Sequence, residues 1–120
     1  MDHAAVMNSC DQKAARVGLD ALSEVERVVV LVSRVNFEVE LGGFSAFLSN
    51  SSRLHARETI PALKAVGANK TAAALQKALA TKPRSFAALD KQFDHEEPDV
   101  FALLCSYMDA RTADLHEHGA

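Results

Sequence analysis

Val25, Val28, Val29, Val32, Val35 and Val39 recur at spacings of three and four, which gathers them on one face of a helix. Glu24, Glu26, Arg27, Arg34, Glu38 and Glu40 fall mostly on the other faces. Ser23 and Glu26 stand at capping-box spacing at the head of this stripe, where a hydroxyl and a carboxylate each satisfy a free amide of a helix start. The run Val28 to Val32 is rich in β-branched residues and locally favours a strand, but the periodicity on both sides predicts a helix. Gly42-Gly43 ends it, since glycine takes the left-handed conformation that a helix stop requires.

Beyond the glycines, Phe44 to Leu48 predicts a short helix with Phe44, Phe47 and Leu48 inward, and Asn50-Ser51-Ser52 supplies a stop and a new N-cap. A helix from about Arg53 to Val66 follows, with Ala56, Ile60, Leu63 and Val66 on its core face and a kink near residues 57 to 60, where Pro61 removes a backbone bond. Gly67 closes it. Asn69 then caps a helix from Lys70 to about Thr81 with a narrow stripe of Ala72, Leu75, Ala78 and Leu79, so the two form a helical hairpin. Phe86, Leu89 and Phe93 mark a short helix, and Pro98 suits the first turn of a last one carrying Val100, Phe101, Leu104, Met108 and Leu115, fraying from about His116. Residues 1–18 hold no sustained apolar period and are expected as a loosely ordered arm before a domain over 19–120. The expected fold is all-α: a compact single domain of about six helices with helical hairpins.

Composition narrows this picture. A chain of 120 residues fits one domain and buries roughly two thirds of its unfolded surface. Of its residues 48% are hydrophobic, but many are alanine, with six Phe, one Tyr and no Trp, so closely spaced helices with small contacts are expected. A charged fraction of 24% and a mean hydropathy of −0.03 exclude a membrane protein and a disordered chain. The first ten residues lack the basic and apolar regions of a secretion signal, which points to the cytoplasm. Cys10 and Cys105 are too few for a disulfide scaffold and are expected as thiols, Cys105 as a small core residue.

Candidate chemistry is sparse. His116-Glu117-His118 is the densest histidine cluster, yet two imidazoles on a fraying tail fall short of the three or four converging ligands of a zinc site, so no metal and no cofactor are expected. His55 stands between Arg53 and Arg57, and His95 lies among Asp94, Glu96 and Glu97, neither with a recognisable nucleophile. No serine or cysteine sits in nucleophile-elbow context, and Gly42-Gly43 lacks the surroundings of a phosphate loop. The expectation is a protein that is not an enzyme.

Charge is divided along the chain. Residues 1–52 have a net charge of −3; residues 53–84 set seven Lys/Arg against Glu58 alone, a net of +6; residues 85–120 have a net of −6. The acidic segment concentrates Asp90, Asp94, Glu96, Glu97 and Asp99, which suits encounter with a basic protein surface. Arg53, Arg57, Lys64 and Lys70 of the basic hairpin offer an alternative contact with nucleic-acid phosphates, but they lack interleaved aromatics, and a pI of about 5.9 lies outside the basic range of such domains.

The stretch Val35 to Ser52, with Gly42-Gly43-Phe44, Phe47 and Asn50-Ser51, continues through Ile60 to Gly67-Ala68 and on to Ala78-Leu79. Over roughly residues 23 to 108 it resembles the bacterial DNA-mimic-protein type of domain, in which a helix leads to a Gly-Gly-Phe turn, then a helix ending in Gly-Ala, then an alanine-rich helix. The resemblance implies an all-helical fold and a non-enzymatic binding role in which an acidic, dimeric protein imitates DNA and occupies a DNA-binding protein. A homodimer is the assembly it implies. Because residues 53–84 are basic, an imitation of DNA here rests on the acidic patch at Asp90 to Asp99.

Overall fold

The capping box at Ser23 forms as the sequence predicts. Glu26 N–H donates to Ser23 Oγ (3.2 Å), and Ser23 N–H donates to Glu26 Oε1 (2.9 Å). The computed structural model describes residues 1–49, 55–80 and 99–120, and its described residues are helical, with no strand among them. The helices are α1 (His3–Val17), α2 (Glu24–Ser49), α3 (Ala56–Ala65), α4 (Asn69–Leu79) and α5 (Val100–Asp109), with 3₁₀ segments at Leu19–Ala21 and Thr112–His118. The expected segment at Phe86 to Phe93 lies outside the described residues. The Cα radius of gyration, 13.7 Å, matches the roughly 13.6 Å expected of a folded chain of this length.

α2 is the central helix, packed by α1, α3, α4, α5 and the C-terminal 3₁₀ segment. Val28, Val29, Val30, Leu31 and Val32 are therefore all buried, and the local strand preference of that run yields to packing on every side. Gly42 (φ −147°, ψ 15°) and Gly43 (φ 72°, ψ −175°) break the helical path, so Phe47 and Leu48 turn into the core on a reoriented last segment. The conformation of Gly43 is accessible to glycine alone. The side chain of Phe44 lies outside the description.

Residues 1–18 correct the expectation of a loose arm. Asp2 caps α1 by accepting from Ala5 N–H (3.1 Å), and Val6, Cys10 and Ala14, spaced by four, are buried with Met7 along one face. Gly18 (φ 87°) turns the chain into the 3₁₀ segment, which buries Leu19.

α3 runs unbroken through Pro61 and buries Ala56, Thr59, Ala62 and Leu63, with Ile60 only partly covered. Thr59 closes on its own helix by donating Oγ1–H to the His55 carbonyl (2.9 Å). The α3–α4 turn is a Schellman motif: Ala68 N–H donates to Leu63 O (2.9 Å), Gly67 N–H donates to Lys64 O (3.0 Å), and Gly67 takes φ 90°. Ala68, rather than the expected Asn69, is the N-cap of α4, without a side-chain bond. Thr71, Ala72, Ala74, Leu75 and Ala78 are buried there, a wider face than the expected stripe, and their small size permits close approach to α3. α5 ends at Asp109, where a longer helix was expected. Leu115 reaches the core from the 3₁₀ segment instead, and Phe101, expected inward, is 43% exposed.

Candidate functional site

Three places gather polar side chains. The first joins both ends of the chain to α2. Glu26 is 2% exposed, and its Oε1 is spent on the capping box. Its Oε2 accepts from Lys13 Nζ (2.8 Å) and from His118 Nε2 (2.6 Å). Lys13 also donates to Glu117 Oε1 (2.7 Å), and Ser9 Oγ lies 2.7 Å from His118 Nδ1. Burial by itself raises the Glu26 pKa, but the bonds from Lys13, the Ser23 amide and His118 outweigh it and hold the carboxyl at about 2. The expectation of a frayed, solvated tail from His116 is thereby corrected: the His118 side chain is 3% exposed, held between α1 and α2.

This network can be tested against metal and catalytic chemistry. Glu26, Glu117 and His118 bring three ligand atoms within 4.8 Å of one another, but the Lys13 ammonium already bridges the two carboxylates. A divalent ion there would have to displace that cation, so the donor set fits an internal counter-ion better than a metal. The order Ser9–His118–Glu26 brings together the groups of a hydrolytic triad, yet neither Ser9 nor His118 lines any of the clefts described below. Nearby Cys10 is fully buried, and burial, reinforced by Glu26, pushes its thiol up to about 12, so it is no thiolate nucleophile. The cluster fastens the termini to the central helix.

The second place holds the basic residues. Arg57 and Lys64, two helical turns apart on α3, line a shallow groove with Ile60, Pro61, Gln76 and Leu79. Lys70 lies in the first turn of α4 and does not line it, and Arg53 lies outside the described residues. A second shallow cleft, between α2 and α3, is lined by Glu24, Arg27, Glu58 and Pro61.

The third was not foreseen from sequence. Ala4 and Met7 of α1, Asn36, Phe37 and Glu40 of α2, and Phe101 of α5 enclose a cleft of about 470 Å³. Phe37 is 63% exposed and Leu41, one turn on, 74%. Asn36 is only 8% exposed, and its Oδ1 has no hydrogen-bond partner among the described residues. Asp11 and Arg34 also line the cleft and are tied to each other, Arg34 Nε donating to Asp11 Oδ1 (2.8 Å).

Of the expected acidic patch, Asp90, Asp94, Glu96 and Glu97 lie outside the described residues. Asp99 is described: it caps α5, its Oδ1 accepting from Phe101 N–H (2.6 Å). The acidic segment therefore ends two residues from a wall of the third cleft.

Among the described residues no helix is long and apolar enough to cross a membrane. The family model described as DMP19-like protein matches residues 20–112. No curated protein and no solved structure matches the chain.

Proposed function

We propose, for a chain that belongs to the DMP19-like protein family, a non-enzymatic interaction module that engages a basic, DNA-binding protein through the acidic patch at Asp90, Asp94, Glu96, Glu97 and Asp99. The observation that carries this reading is the division of charge, a net of −6 over residues 85–120 beside +6 over residues 53–84. Clustered carboxylates steer a basic partner into place and make the complex sensitive to salt. Support also comes from Asp99, which fixes the end of the acidic segment to α5. The non-enzymatic reading is supported by the buried, protonated Cys10 and by a Ser9–His118–Glu26 array closed off from the described clefts.

The test is capture of the partner by wild type and by a variant with Asp94→Asn, Glu96→Gln, Glu97→Gln and Asp99→Asn. Asparagine caps a helix as well as aspartate does, so α5 keeps its start and a loss of capture reports charge. Capture reduced at least tenfold is expected; unchanged capture sinks the reading.

A second reading has one observation in its favour, the shared groove of Arg57 and Lys64. There the hairpin, with Arg53 and Lys70, contacts nucleic-acid phosphates. A mobility-shift titration at low salt decides it, a flat titration eliminating the contact.

A further inference from the structure

We infer that the cleft between α1, α2 and α5 receives an arginine side chain of the basic partner; the inference rests on the reading of that partner as basic. Four features of the cleft converge on a guanidinium. Asn36 lines the cleft, and its buried Oδ1 has no donor among the described residues. Buried acceptors are normally satisfied, so a small turn of the Asn36 side chain toward the cleft would give an incoming N–H donor a partner. Phe37 and Phe101, one on α2 and one on α5, line the same cleft and are 63% and 43% exposed. Aromatic faces favour a flat cation, which stacks on them and is more weakly hydrated than an ammonium.

Charge completes the match. Glu40 and Asp11 both line the cleft, and Arg34, the one cation among its described lining residues, is already bonded to Asp11. The lining is left net negative, with Glu40 able to pair with a visiting cation. Asp99, the described end of the acidic segment, stands two positions before Phe101 of this wall. A guanidinium suits such a site because its planar fork of five donors can serve Asn36 and Glu40 while its face lies on a ring. A neutral apolar side chain would cover the rings but leave Asn36 Oδ1 unsatisfied and Glu40 unpaired.

The test is a nitrogen-15 NMR titration of the full chain with the peptide Ac-Gly-Arg-Gly-Arg-Gly-NH2, and with the same peptide carrying citrulline, a neutral arginine isostere. Saturable shifts at the Asn36 side-chain amide and at the Phe37 and Phe101 backbone amides are expected, with the citrulline peptide at least tenfold weaker. Phe37→Ala and Glu40→Gln, both at exposed positions, should each weaken the arginine peptide about fivefold without moving the thermal midpoint. Equal binding of the two peptides, or no shifts at the cleft, overturns the anchor. Shifts confined to residues 90–99 overturn the anchor and leave the acidic-patch reading standing. That reading fails separately, when the fourfold Asn and Gln variant still captures the partner.

Discussion

Replacing Glu26 with Gln removes one buried charge and leaves the side chain's shape and capping-box spacing intact. In the folded protein the Glu26 carboxyl sits at about 2, against an ordinary value of 4.5. That difference corresponds to about 3 kcal/mol in favour of the ionised folded state. Since the folded value is depressed, this stability is fully present above pH 4.5 and is lost as pH falls toward 2. By pH 3 about 2 kcal/mol of it is gone. The assay is urea unfolding followed by circular dichroism at pH 7 and pH 3, for wild type and Glu26→Gln. At pH 7 the variant should be less stable by about 3 kcal/mol, since His118 loses its carboxylate partner and Lys13 keeps only the exposed Glu117. Between pH 7 and pH 3 the wild type should lose about 2 kcal/mol more than the variant does, the other carboxyl groups cancelling in the comparison. Equal acid losses in the two proteins would refute the reasoning, because they would mean that Glu26 carries no depressed ionisation and that the termini are held by something else.

Other outcomes follow from single residues. Leu115→Ala should cost about 2–5 kcal/mol in urea unfolding, since Leu115 is fully buried on the C-terminal segment; a cost below about 0.5 kcal/mol would mean that the segment is not part of the core. Gly43→Ala should destabilise by about 1–3 kcal/mol in thermal melts, because φ 72° with ψ −175° is open to glycine only. Cys10 should react with a disulfide reagent only as the protein unfolds, since its thiol is fully buried and lifted to about 12; fast labelling of the native protein at pH 8 would contradict its placement.

What the sequence revealed divides by range. The Ser23–Glu26 box, the break at Gly42-Gly43 and the Gly67 turn are local devices, each set by a residue type that the backbone demands, and all three are found where the spacing puts them. α1 escaped notice because its buried stripe is made of Val6, Cys10 and Ala14, small residues among polar neighbours, and its burial depends on the C-terminal segment folding onto it. Glu26 read as a polar-face residue, yet its partners Lys13 and His118 lie 13 and 92 positions away, a distance over which spacing carries no signal. The cleft was hidden for a related reason: periodicity sent Phe101 to the core, whereas it is partly exposed and lines the same cleft as Phe37. The charge division was plain in the sequence, and its structural consequence at Asp99 was not.

The central claim is that an acidic surface of this protein holds a basic, DNA-binding partner. The most direct measurement is capture on the tagged protein from a lysate of its own organism at low salt, with a high-salt wash and mass-spectrometric identification of what elutes. The account predicts a basic DNA-binding protein that salt releases and that nuclease treatment of the lysate leaves in place. Elution of nucleic acid alone, or loss of the captured protein after nuclease, would contradict it.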